Sequence, residues 1–159
     1  MFCLAKINAN GFEVLTSLVV ANVAAQVLKT IIFALQNGKL DPRMLVTTGG
    51  MPSSHSASVV AMATSVGLIE GFDSVVFALA AAFAIVVMYD SAGIRRSAGR
   101  QAAVLNRIIN DVLSPEHKVR EGRLKELLGH SPFEVIVGAL LGIFIAILLR
   151  YFIVVTIYG

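Results

Sequence analysis

A chain of 159 residues is the length of one domain. It is 57% hydrophobic and 14% charged, with a mean hydropathy of +0.81, against roughly 45–50% and about 25% in soluble domains, which argues against a soluble enzyme and for an integral membrane protein. The net charge is +3 and most basic residues lie between Arg95 and Lys125, which in a membrane domain favours phosphate or lipid headgroups over nucleic acid.

Crossing ~30 Å of hydrocarbon takes about 20 helical residues. The first segment of this kind runs from about Phe12 to Leu35 and is apolar except for Glu13, Asn22, Gln26 and Lys29. Asn37 to Ser53 follows, and its Gly38, Pro42, Gly49, Gly50 and Pro52 read as loop. The second segment, from about Ser54 to Ile69, is rich in Ala, Ser and Val. Glu70 to Asp73 joins it to the third, from about Ser74 to Tyr89, so the two form an antiparallel hairpin. Their many small residues permit close helix approach.

Ser91 to Pro132 is polar and begins with a helix over about Gln101 to Leu113. There Val104, Leu105, Ile108, Ile109 and Val112 make one apolar face, as in an interfacial amphipathic helix. Ser114-Pro115 ends it. The fourth segment runs from about Phe133 to Tyr158, interrupted by Arg150. The expected architecture is all-α: one membrane-embedded domain over residues 1–159, a helical bundle of about four transmembrane helices plus one interfacial amphipathic helix. The single cysteine, Cys3, allows no intrachain disulfide, and the N-terminus has no signal-peptide layout.

With four spans, both long polar loops fall on one face. That face carries Lys39, Arg43, Arg95, Arg96, Arg100, Arg107, Lys118, Arg120, Arg123 and Lys125, and the positive-inside rule places it in the cytoplasm. Gly49-Gly50-Met51-Pro52-Ser53-Ser54-His55-Ser56 stands where the first loop enters segment two. Serine caps a helix start, whose unpaired N–H groups and positive dipole end can hold an anion beside His55. Gly129-His130-Ser131-Pro132-Phe133-Glu134 stands where the second loop enters segment four. His130 and Glu134 are spaced so that the carboxylate can fix the imidazole tautomer.

Read singly, either motif is explained about as well by a capped helix with a nearby histidine. Together, two histidines at two helix starts among cations fit phosphoryl transfer. One imidazole attacks phosphorus and the other protonates the leaving oxygen. Lys29 lies about 9 Å below the same face by helix rise and can snorkel towards it or pair with Gln26 across a turn. Arg95 and Arg96 can clamp phosphate oxygens. Asp90 can support an arginine or ligate Mg²⁺. Lys125 precedes His130 and can bind phosphate, whereas His117 reads as a solvated loop histidine.

These residues resemble the divergent branch of the type 2 phosphatidic acid phosphatase superfamily, described as related to acid phosphatases and vanadium-dependent haloperoxidases. The resemblance rests on the Gly49–Ala57 run, on Tyr89-Asp90 with Gly93 and Arg95-Arg96, on Gln101-Ala102 with Leu105-Asn106, and on Leu124 to His130 followed by Pro132, Glu134 and Val135. It covers about Ala21 to Leu148. It implies a helical bundle in which His55 is the leaving-group acid, Ser53 a phosphate ligand, His130 the nucleophile and Lys29 the first-motif lysine. Ser54 replaces the family's glycine and Glu134 its aspartate. No Arg-Pro follows Lys29 and no Ser-Arg precedes His130 at the family spacing, so Arg95, Arg96 or Lys125 are the candidates to supply those charges.

The resemblance implies no required cofactor, with Mg²⁺ possible through Asp90. The implied partners are membrane lipid and a phosphorylated lipid substrate, with no nucleic acid. The expected activity is hydrolysis of a lipid phosphate or pyrophosphate with His130 as nucleophile and His55 as general acid. The alternative is a non-catalytic phospholipid or polyprenyl-phosphate binding or transport module derived from a phosphatase. The absent Arg-Pro and Ser-Arg elements favour the alternative. The two histidines and the carboxylate oppose it, since binding alone does not need them.

Overall fold

The computed structural model describes residues 11–39, 41, 43–44, 49–112 and 129–158. It is all-helical over these residues, with α1 Gly11–Asn37, α2 Ser54–Glu70, α3 Val75–Ala92, α4 Ile94–Val112 and α5 Pro132–Tyr158. The apolar blocks of the sequence therefore mark the helices to within a few residues. Among the described residues, three stretches are long and apolar enough to cross a membrane: Gly11–Asn37, Val75–Ile108, which takes in α3, and Pro132–Thr156. The remaining expected span, α2, has 17 residues, which is ~25 Å of helix. It is the central element, packed against α1, α3 and α5.

The interior is built from small side chains. Ala21 and Ala25 of α1, Ala57 and Ala61 of α2 and Ala146 of α5 form one buried cluster. Val59 and Ala63 of α2 meet Ala84 of α3 in another. The large apolar residues point outward: Leu15, Val19, Val23, Leu79, Phe83, Ile136, Leu140 and Phe144 are exposed, which suits a surface bathed in lipid. Lipid tails are as apolar as leucine, so the helices gain little from hiding large side chains. They gain from close approach and interhelical hydrogen bonds.

The closest approach is between α2 and α5. A Cβ added at Gly138 would collide with the Ser53 carbonyl oxygen, and one at Gly142 with the Ala57 carbonyl oxygen and, at 2.9 Å, with the Ala61 nitrogen. Gly138 and Gly142 form a small-xxx-small seam that lets the two backbones touch. Across α1 and α2 the contact is polar: Asn22 Nδ2 donates to Ser58 Oγ at 2.9 Å, and Gln26 Nε2 to Ser54 Oγ at 3.3 Å.

α3 runs to Ala92, beyond the expected end at Tyr89, and the Gly93 N–H closes it on the Tyr89 carbonyl at 2.8 Å. α4 then starts at Ile94, seven residues before the expected Gln101. Its Val104, Leu105 and Ile108 are exposed, as an apolar face meeting lipid requires.

The chain direction sets the two ends of the bundle. The end of α1, the start of α2, the end of α3 and the start of α5 lie together. Ser53 N–H donates to the Glu134 carbonyl at 3.1 Å and His130 N–H to the Ser91 carbonyl at 2.9 Å. At the other end the Arg150 guanidinium donates through Nη1 to Glu13 Oε2 at 2.8 Å, joining α5 to α1.

Gly142→Leu is expected to lower stability by roughly 1–3 kcal/mol or more through overpacking, whereas Leu140→Ala on the exposed face stays within about 0.5 kcal/mol; thermal unfolding in detergent measures both. Arg150→Met strands the Glu13 carboxylate, and loss of one partner of a buried pair costs roughly 3–5 kcal/mol. The double variant Glu13→Leu/Arg150→Met is expected to be more stable than Arg150→Met alone in the same assay.

Candidate phosphate site at two helix starts

α2 begins on a built cap. Ser53 is extended (φ −70°, ψ 114°), and its hydroxyl accepts from Ser56 N–H at 3.3 Å and from Ser56 Oγ at 3.1 Å. Positive φ at Gly49 and Gly50, followed by a cis bond at Met51-Pro52, turns the chain into this cap. A Cβ at Gly50 would lie 3.6 Å from Cγ and Cδ of Lys29, so the loop passes over the lysine stem. The first turn of α2 holds no acidic residue. Its N–H groups and dipole therefore remain suited to an anion.

The start of α5 differs. Ser131 and Glu134 form a reciprocal capping box: Glu134 N–H donates to Ser131 Oγ at 3.3 Å and Ser131 N–H to Glu134 Oε2 at 3.2 Å. Pro132 occupies the first helical position, where its missing N–H costs nothing. The helix start is thus satisfied internally and carries a carboxylate. Its contribution to the site is His130, not an anion cradle.

Glu134 Oε2 also lies 3.1 Å from Nδ1 of His130, which is 2% exposed. A carboxylate only accepts, so Nδ1 carries the proton, and in the neutral ring Nε2 is the nitrogen with the lone pair. The backbone of His130 is pinned to the Ser91 carbonyl at the end of α3. Ring and backbone are therefore held from two directions.

The two imidazoles, 75 positions apart in the chain, meet. The ring centroids of His55 and His130 are 6.0 Å apart with planes at 61°. This is edge-to-face contact. Lys29, 2% exposed, donates from Nζ to Gln26 Oε1 at 2.8 Å and interacts electrostatically with Glu134. His55, His130, Glu134, Lys29, Ser53 and Ser54 are thus gathered at one end of the bundle.

The other candidates stand differently. Arg95 and Arg96 lie in the first turn of α4, directly after the end of α3 that pins His130; their side chains, and all of Lys125 and His117, lie outside the described residues. Asp90 is half-buried in the last turn of α3. Among the described residues no three His, Cys, Asp or Glu side chains gather into a metal-binding group. A cleft of about 390 Å³ at the α3–α4 junction is lined by Tyr89, Gly93, Ser97, Ala98 and Gln101, and neither histidine borders it. The Ser91 carbonyl carries no sequence signal of its role. Gln26 does, through its spacing from Lys29. The Ser131-x-x-Glu134 pattern is a recognisable capping box that the histidine–carboxylate spacing overshadows.

Comparison with known proteins shows the family. The family described as "Divergent PAP2 family" matches residues 11–145. A relative in Bacillus subtilis (strain 168), described as "Uncharacterized membrane protein YuiD", is 43% identical over 152 residues, covering 89% of this chain and 96% of its own length. No solved structure matches the chain.

Glu134→Gln keeps an acceptor for the cap and loses the charge on the imidazole. The fold is expected to survive, with a stability change of about 1 kcal/mol or less. The ¹⁵N spectrum of the His130 ring is expected to change from a single Nδ1–H tautomer to a tautomeric mixture. An unchanged spectrum would mean that the carboxylate does not set the tautomer.

Proposed function

Starting from a chain that belongs to the divergent PAP2 family and crosses the membrane, we propose that it is a membrane phosphatase acting on a lipid phosphate or pyrophosphate. The observation that carries this reading is the meeting of the His55 and His130 rings at the end of the bundle that also holds buried Lys29. Nε2 of His130 attacks phosphorus, and the bond from phosphorus to the leaving oxygen breaks. That oxygen takes a proton from His55. His55, now neutral, removes a proton from water, which attacks the phosphohistidine and releases inorganic phosphate. Lys29, the start of α2 with Ser53 and Ser54, and the cations Arg95, Arg96 and Lys125 balance charge on the phosphoryl oxygens. Glu134 steadies the imidazolium that forms during attack.

An interfacial site at the end of a membrane bundle suits an amphiphile whose phosphate stays at the headgroup level while its tails remain in lipid. The exposed apolar face of α4 lies at the same end of the bundle, with Arg100 and Arg107 on the same helix. The excess of Lys and Arg on this face is what supports a cytoplasmic orientation for it, by the positive-inside rule.

The test is phosphate release in detergent from phosphatidate, phosphatidylglycerophosphate and polyprenyl diphosphate, with and without Mg²⁺. His130→Ala and His55→Ala are each expected to reduce turnover by about 10²–10⁴, and Lys29→Met mainly to raise KM. Release that survives both histidine substitutions would refute the mechanism. Saturable lipid-phosphate binding without release would assign the protein to a binding or transport role instead.

A further inference from the structure

Gln26 is a polar residue inside a membrane helix that phosphoryl chemistry itself does not require. Its amide is bonded at both ends. Oε1 accepts from Lys29 Nζ at 2.8 Å and Nε2 donates to Ser54 Oγ at 3.3 Å. Ser54 is the first residue of α2, next to His55. One rigid planar group therefore ties the ammonium of α1 to the helix start that faces the phosphoryl group. The main chain at this position is also held, since Thr30 Oγ1 donates to the Gln26 carbonyl at 2.9 Å.

A lysine has a flexible four-carbon stem and three rotatable donors, so its charge is poorly placed unless something holds it. Here Gly50 packs against the stem and Gln26 takes one ammonium hydrogen. Electrostatic stabilisation of a transition state depends on such fixed placement, because a charge that must reorganise loses most of its effect. We infer that Gln26 is a positioning residue: its amide holds the Lys29 ammonium in register with the start of α2 and so sets where the positive charge meets the substrate phosphate. This rests on the phosphatase reading for its consequence, but the placement of the ammonium can be observed without turnover.

Asn22, one turn earlier on the same helix face, is the internal control. It makes the same kind of α1–α2 bond, to Ser58 at 2.9 Å, whereas the Lys29 ammonium donates to Gln26. If Gln26 matters only as interhelical glue, loss of either residue has the same effect.

The experiment uses the full chain in detergent with ¹⁵N-labelled lysine. It compares the parent, Gln26→Met and Asn22→Leu. In the parent, the buried, hydrogen-bonded Lys29 ammonium is expected to give a slowly exchanging ¹H–¹⁵N signal, identified by its loss in Lys29→Met. Gln26→Met should abolish or strongly shift that signal, and Asn22→Leu should leave it in place. With an active substrate, Gln26→Met should lower kcat on the order of tenfold or more, the usual scale for a hydrogen bond to a charged group, while Asn22→Leu stays within about twofold. A signal kept in Gln26→Met, or lost equally in both variants, overturns the inference. Should Gln26→Met not fold, Gln26→Glu retains an acceptor for Lys29, and absence of the signal there is also decisive against it. If the parent releases no phosphate from any substrate, the phosphatase reading fails, and the ammonium signal still decides the role of Gln26.

Discussion

The contact between the backbones of α2 and α5 governs the rest of the molecule. Gly138 and Gly142 leave no side chain between the helices, so the main chain of α5 lies directly on Ser53, Ala57 and Ala61. Each histidine sits just beside this seam, His55 in the first turn of α2 and His130 two residues before α5. The distance between the rings is therefore set by packing several residues away. A membrane interior supplies no hydrophobic pressure between helices, so contact distance is controlled by side-chain size. Glycine, alanine and serine at the crossing are what bring two imidazoles to 6.0 Å.

The same seam explains why the two helix starts have separate jobs. α5 spends its polar capacity on its own cap, with Glu134 closing the box to Ser131 and turning one oxygen to His130. α2 keeps an acid-free first turn. An anion approaching the pair meets a carboxylate on one side and a helix dipole on the other. Lys29 lies within electrostatic reach of Glu134 and is bonded through Gln26 towards Ser54. In the proposed function, the phosphate would lie over the α2 start and the His130 ring would approach from the α5 side.

Much of this was legible in the sequence, and the remainder was hidden for physical reasons. Long apolar runs marked α1, α3 and α5, because crossing hydrocarbon demands length and apolarity together. The order of apolar segments put His55 and His130 on one face, and their ring contact is what the structure adds. The start of α4 was not visible, since Ile94 to Arg100 has arginine, serine and glycine where an apolar stripe would be needed to betray a helix. The enclosed position of α2 was also hidden: its small residues announced close packing but not that three neighbours would surround it. The Gly138–Gly142 seam could have been read from its spacing, although not its partner helix. The Glu13–Arg150 pair joins residues 137 positions apart, and a long-range pairing leaves no local pattern.

The central place of α2 also bears on how the protein is made. A short helix with Ser54, His55, Ser56, Ser58 and Ser65 along it gains little from lipid by itself. The hydroxyls of Ser54 and Ser58 are provided for by α1 and by an α2 carbonyl, whereas that of Ser65 is buried without a hydrogen-bond partner. During synthesis α1 emerges before α2 and offers Asn22 and Gln26 as partners, but the glycine seam of α5 emerges after it. Until then one side of α2 has no neighbour. A chain truncated before α5 would therefore leave α2 uncovered along the side that Gly138 and Gly142 fill.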